Sequence, residues 1–205
     1  LHRLDFSGLA ENAYGWWKIT NGQVDFSYVG YEQNGSNWWY VYGGQVCFQA
    51  TDVLPGTVGG QYGWWKVCEG KVNFDDDVCE NAYGWWKITT GKVDFQYTGL
   101  AQNACGWWMI QNGHVNFGSN GLVDNGNGWW LVKNGGVDFN YNGLVDNGNG
   151  WWLIRNGYVD FNYNGLVDNG NGWWLVKNGC VDFSYQGYVQ NECGVWWVSN
   201  GQVQF

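Results

Sequence analysis

Nine Trp-Trp pairs account for all 18 tryptophans of this chain, with first members at Trp16, Trp38, Trp64, Trp85, Trp107, Trp129, Trp151, Trp173 and Trp196. The pairs lie 22, 26, 21, 22, 22, 22, 22 and 23 residues apart. A period of this length marks a solenoid or hairpin array, in which each repeat buries its apolar face only by stacking on its neighbours. Such arrays present extended recognition surfaces, so the chain reads as a binding module and not as an enzyme.

The clearest repeat runs from Ala82 to Asn103, AYGWWKITTGKVDFQYTGLAQN, with relatives starting near 13, 35, 61, 104, 126, 148, 170 and 192 and a partial one at Leu4–Asn12. The repeats from Gly126, Gly148 and Gly170 share LVDNGNGWWL, and the repeat at 35–60 is irregular, carrying QATDVLPGTVGG and the single proline, Pro55. That segment is expected to kink or cap the array. In each repeat two short apolar runs flank a turn ending in Gly, and six of these turns read Asn-Gly (Asn21, Asn112, Asn134, Asn156, Asn178, Asn200). Asn-Gly between such runs predicts a type I′ hairpin, because both central residues need positive φ. The fold expected is all-β, a β-hairpin solenoid of about nine repeats in a single elongated domain over 1–205.

With Asn21-Gly22 as the turn, Ile19 faces Val24, Lys18 faces Asp25 and Trp17 faces Phe26. Alternation along a strand then puts Trp17, Ile19, Val24, Phe26 and Tyr28 on a core face and Trp16, Lys18, Asp25 and Ser27 on an outer face. In the last repeat, ECGVWWVSNG, counting 22 residues from Trp174 lands on Trp196. Trp196 is therefore expected in the core position and Trp197 in that of Lys18. The outer tryptophans Trp16, Trp64, Trp85, Trp107, Trp129, Trp151 and Trp173 are candidate ligand platforms, since indole faces stack on sugars and hold cations for about 0.5–2 kcal/mol each. They also fit as packing between hairpins. Asp94, Asp138, Asp160 and Asp182 are candidate polar handles beside them, or turn-bonded carboxylates; Lys18–Asp25 and Lys87–Asp94 are expected cross-strand pairs, and no cation faces the last three aspartates.

The net charge of −9 and the lack of a basic stripe argue against nucleic acid and suit a neutral or cationic ligand. No run of 18 apolar residues predicts a membrane span. Six cysteines without CxxC, and two distant histidines, His2 and His114, point away from zinc and toward extracellular disulfides, with sequential pairing Cys47–Cys68, Cys79–Cys105 and Cys180–Cys193 as the expectation. The DNGNG segments at Asp124, Asp146 and Asp168 lack a calcium-loop spacing and read as Asx-turns. Asp75-Asp76-Asp77 reads as a solvated acidic run, and Asn34-Gly35-Ser36 matches a glycosylation sequon. No catalytic motif, metal set or cofactor site is expected. A start at Leu1 inside a repeat, with Met109 the single methionine, suggests a piece of a larger protein.

The repeat GWWKITTGKVDFQYTGL resembles the choline-binding and glucan-binding repeats of Gram-positive surface proteins, and more distantly those of large clostridial toxins. It shares their Gly-Trp opening, hairpin turn ending in Gly, aromatic second strand and trailing Gly before an apolar residue. The resemblance implies a secreted or surface-attached module that binds cell-wall polymers or glycans, with ligands between consecutive hairpins in aromatic cages. The Gly-Trp position is kept at Trp16, Trp64, Trp85, Trp107, Trp129, Trp151 and Trp173, whereas Val-Asp-Phe stands where that family has Trp-Tyr-Tyr. The alternative is an adhesin for a host protein such as immunoglobulin or a mucin glycoprotein.

Overall fold

The computed structural model describes residues 5–205. His2 and the Leu4 start of the partial repeat lie outside them. Every regular element among the described residues is a β-strand, and no helix there is long and apolar enough to cross a membrane. The chain sorts into two compact units. One takes the described residues up to Cys105 together with Ile110–Val115, and the other takes Gly106–Met109 and Asn116–Phe205.

Each repeat contributes one long strand with pairings on both sides. In the first unit, Gly15–Thr20 pairs antiparallel with Gly8–Asn12, in the register Gly8↔Ile19 to Asn12↔Gly15, and then with the two-residue strand Gln23–Val24. The Asn-Gly turns are left-handed at both central residues, φ 49° at Asn21 and 76° at Gly22, as type I′ geometry requires. The longer ladder is the one with the preceding strand, so the trailing Gly-Leu-Ala-Glu-Asn segment is half of the main hairpin. The irregular segment is a hairpin with longer strands: Asp52–Val58 pairs with Gln61–Cys68 around Gly59-Gly60, and Pro55 lies in the strand opposite Trp64.

Stacking within each unit is a backbone matter as well as a side-chain one. Trp17 pairs with Gln45 of the next repeat, Lys18 N–H donates to Gly44 O at 2.8 Å, and Gly44 N–H donates to Tyr28 O at 3.0 Å. The second unit repeats the arrangement, with Trp130↔Tyr158, Leu131 N–H to Gly157 O at 2.8 Å and Gly157 N–H to Tyr141 O at 3.0 Å. Gly157 is confined to glycine twice over: its φ is +77°, and a Cβ there would meet Asp138 O at 2.5 Å. Each hairpin thus completes the ladder of the one before it and leaves few edge groups for water.

The innermost residues are the Ile/Val pair flanking each turn, such as Ile88 with Val93 and Ile154 with Val159, all at most 3% exposed. Two parts of the core and outer face assignment need correction. The aromatic after each Asp, expected in the core, is mostly exposed, Phe26 at 68% and Phe139 at 39%, because the chain turns away after two ladder residues. The opposite face is no solvent face either: Leu131, Leu153 and Leu175 are buried because the following hairpin covers them, leaving these three hairpins apolar on both sides.

The register of the last hairpin, Val189↔Trp196 and Tyr188↔Trp197, matches Val167↔Trp174 and Leu166↔Leu175. Trp196 therefore keeps the second-Trp position and Trp197 takes that of Lys18.

The cysteines are free thiols, which corrects the sequential disulfide pairing. They sit at unlike repeat positions. Cys105 and Cys193 are exposed at loop tips, where their N–H groups donate to Asn103 and Asn191, whereas Cys79 lies in a strand opposite Trp86. Burial pushes the Cys79 thiol up to about 12, so it stays protonated.

Candidate functional site

Alternation sends the two tryptophans of a pair to opposite faces of the strand, and each meets a different neighbour. The first Trp of one repeat packs against the second Trp and the Phe of the next. In the first unit Trp16 lies 5.5 Å from Trp39 and 6.0 Å from Phe48, with Trp39 and Phe48 5.3 Å apart. Trp64 meets Trp86 at 5.8 Å, and Trp86 meets Phe95 at 5.6 Å. In the second unit the same triad recurs as Trp107–Trp130–Phe139, Trp129–Trp152–Phe161 and Trp151–Trp174–Phe183, with Trp–Trp separations of 5.4, 5.1 and 4.9 Å. These are ordinary aromatic contact distances.

The candidates Trp16, Trp64, Trp107, Trp129 and Trp151 thus each form one wall of an aromatic cluster, and Trp85 is half-buried on its strand opposite Glu80. Sequence reasoning missed the second-Trp and Phe walls. All ten phenylalanines of the chain stand at the one position after Asp or its substitute, a signal that could have marked them.

Trp173 has a different setting. With Trp196 and Phe205 it lines a cavity of about 250 Å³, completed by Leu166, Val203, Asn191 and Cys193. Asn191 Oδ1 accepts the Trp196 Nε1–H at 2.9 Å and fixes that ring. Three aromatic rings around an apolar space without a lining carboxylate or ammonium make a site for a bulky, weakly hydrated cation or an apolar group.

The aspartates serve the turns. Asp138 Oδ2 pairs with Lys133 at 2.9 Å, Asp160 with Arg155 at 3.4 Å and Asp182 with Lys177 at 3.0 Å. This corrects the expectation that no cation faces them: the partner sits two residues beyond the leucine opposite. Their other oxygens accept the N–H groups of Asn140, Asn162 and Ser184 at 3.1 Å in Asx-turns. The Lys133 hydrogen bond holds the Asp138 carboxyl below the ordinary range, and hydrogen bonds from Ser184 and then Lys177 do so for Asp182. Asp94 accepts from Thr89 Oγ1 at 3.2 Å and Gln96 N–H at 3.0 Å.

The expected Lys18–Asp25 and Lys87–Asp94 pairs give way to Lys18–Glu32 at 2.8 Å, on an adjacent strand, and Lys87–Asp76 at 3.4 Å, just before the strand Asp77–Asn81. Two members of the acidic run, expected to be solvated, are thus paired: Asp76 with Lys87 and Asp77 with Lys66 at 2.7 Å. The tyrosines three residues after each of these aspartates already carry internal cations on their faces: Lys133 over Tyr141 at 4.3 Å, Arg155 over Tyr163 at 4.5 Å and Lys177 over Tyr185 at 4.4 Å. In the DNGNG loops Asp124 Oδ1 accepts Gly126 N–H at 2.8 Å, an Asx-turn, and no metal-ligating cluster occurs among the described residues.

The sequence matches the choline-binding repeat over residues 5–25, 27–47, 96–116, 118–138, 140–160 and 162–182, which is 126 of the chain's 205 residues. No curated protein matches. Among solved structures, the chain is similar to choline binding protein F from Streptococcus pneumoniae in crystal form II. That match has 19% identity and a TM-score of 0.38 over 90% of this chain and 61% of that one. In the presence of a peptidoglycan analogue (tetrasaccharide-pentapeptide), the same protein matches at 11% identity and TM-score 0.34, over 97% and 86%. An alternansucrase in complex with isomaltononaose matches at 12% identity and TM-score 0.32, over 97% and 16%. The chain spans less than two thirds of the first of these structures.

Proposed function

The chain belongs to the choline-binding repeat family, and from that premise we propose that it is a non-catalytic cell-wall-binding module that holds quaternary ammonium groups of a surface polymer between its hairpins. The cavity walled by Trp173, Trp196 and Phe205 carries this reading. A trimethylammonium group offers methyls to the indole and phenyl faces and its charge to their quadrupoles, worth about 2 kcal/mol for a desolvated contact. The chain's net charge of −9 favours the approach of a cation.

The other triads have their rings in mutual contact, so a ligand there must first separate two tryptophans. The open cavity is accordingly the site that fills first. Single contacts of this strength are weak, and repeated sites on a repetitive polymer supply avidity. The family match supports a wall polymer as partner and gives no support to a host protein. It also supports a bacterial surface as the module's location.

The test is co-sedimentation with choline-bearing Gram-positive cell walls, comparing the wild type with Trp173→Ala, both checked by circular dichroism. Binding by the wild type that free choline displaces and that falls at least tenfold in Trp173→Ala is expected. Wall binding that choline leaves untouched, or that Trp173→Ala retains, would sink the reading.

A further inference from the structure

The chain holds sixteen Asn-Gly pairs, of which the hairpin turns described above account for six. Glycine has no side chain to hinder its own amide nitrogen, so that nitrogen can attack Cγ of the preceding asparagine and close a five-membered succinimide ring. Closure needs the glycine N–H free and the asparagine side chain able to rotate onto it. The fold divides the sixteen pairs by how firmly these two groups are held.

In the six turns the glycine is held: each donates its N–H to a carbonyl of the preceding repeat, as Gly135 does to Ser119 O at 2.9 Å. At Asn120, Asn142 and Asn164 the side chain is held. Asn142 Oδ1 accepts Asn156 N–H at 3.0 Å and its Nδ2–H donates to Asn140 O at 3.1 Å, and the other two repeat this pattern. Asn125, Asn147 and Asn169 are held at both groups. Asn125 Oδ1 accepts Asn127 N–H at 3.0 Å while Gly126 N–H donates to Asp124 Oδ1 at 2.8 Å, and the same two bonds recur in the other two repeats. Four pairs remain: Asn34-Gly35, at the turn between Gly30–Asn34 and Asn37–Tyr42, and Asn127-Gly128, Asn149-Gly150 and Asn171-Gly172 in the DNGNG loops. Among the described residues no hydrogen bond holds the glycine N–H or the asparagine side chain of these four, and all four asparagines are exposed.

We infer that Asn34, Asn127, Asn149 and Asn171 are sites of spontaneous deamidation, and that hydrogen bonding protects the other twelve Asn-Gly pairs. Gly128 N gives its proton to water and bonds to Asn127 Cγ; the Cγ–Nδ2 bond breaks and Nδ2 leaves as ammonia. Water then opens the succinimide at either carbonyl, leaving aspartate or isoaspartate. A held pair must first give up a hydrogen bond, and each bond broken slows closure about fivefold. Each conversion replaces a neutral amide by a carboxylate, so it adds a negative charge, on an exposed loop or turn, to a chain already at −9. The inference stands apart from the cation cavity, none of whose lining residues belongs to an Asn-Gly pair.

The experiment is incubation of the intact chain in mildly alkaline buffer, with proteolysis at intervals and tandem mass spectrometry that assigns the mass gain to individual asparagines. Asn34, Asn127, Asn149 and Asn171 should each deamidate about fivefold faster, or more, than any of the other twelve. In urea, where the hydrogen bonds of the fold are gone, the sixteen rates should converge. Asp124→Ala frees the Gly126 N–H, so Asn125 should deamidate about fivefold faster than in the wild type, with folding checked by circular dichroism. A protected pair that reacts as fast as the four in the folded chain, the same spread of rates in urea, or an unchanged Asn125 rate in folded Asp124→Ala would overturn the assignment.

Discussion

Replacing Gly157 by alanine tests how the hairpins are joined. Gly157 sits at φ +77°, where an L side chain costs about 1–2 kcal/mol. An added Cβ would also lie 2.5 Å from Asp138 O and 2.9 Å from Phe139 Cα, both backbone atoms of the preceding repeat. Relieving such overlap in a packed interface costs about a further 1–3 kcal/mol. It also strains the two hydrogen bonds that Gly157 makes across the interface, to Leu131 and Tyr141. The expected loss is about 2–5 kcal/mol. Gly148 is the matched control, with φ +83° and nothing within 4 Å of an added Cβ, so Gly148→Ala should lose only about 1–2 kcal/mol. Urea denaturation followed by tryptophan fluorescence measures both. Losses within about 0.5 kcal/mol of each other would refute the claim that backbone contact at this glycine holds consecutive hairpins together.

Two further outcomes follow from the indoles and the carboxylates. Trp86 Nε1–H donates to Asn81 Oδ1 at 2.9 Å, whereas the Nε1–H groups of Trp130, Trp152 and Trp174 are buried without a partner. An unmet buried donor costs about 1–3 kcal/mol, so Trp152→Phe should destabilise by at least about 1 kcal/mol less than Trp86→Phe; equal losses in denaturant would contradict this. The carboxyls of Asp76, Asp138 and Asp182 are held below the ordinary carboxylate range by the Thr90 N–H, by Lys133, and by Ser184 with Lys177, respectively. Groups lowered on folding lend stability that is complete above the unfolded pKa and lost as pH falls through the folded one. Thermal midpoints should therefore show no loss from these carboxyls between pH 7 and about 4 and fall below it, and midpoints unchanged down to pH 2 would refute their contribution.

Turn chemistry was legible in the sequence because it is local. Asn21-Gly22 and its equivalents dictate positive φ whatever surrounds them, and the 22-residue frame placed Trp196 in register despite the shifted pair. What stayed hidden depends on the neighbouring hairpin. Lys18 reaches Glu32 and Lys66 reaches Asp77 on strands that a single-hairpin register does not include. Leu131 and its equivalents are buried by the hairpin that follows, so an alternation rule for one sheet face mislabels them as outer. The same omission split the tryptophan pairs into structural and functional members, although each triad takes one of each from adjacent repeats. The irregular segment, expected as a kink or cap, forms one strand of a longer hairpin that turns at Gly59-Gly60.

The most direct test of cation capture between hairpins is an intermolecular NOE experiment on the isotope-labelled protein with unlabelled choline. Cross-peaks from the trimethylammonium protons to the rings of Trp173, Trp196 and Phe205, appearing before any to the closed triads, are the predicted result. Saturable choline binding with cross-peaks elsewhere and none to these three rings, or no cross-peaks at saturating choline, would contradict it.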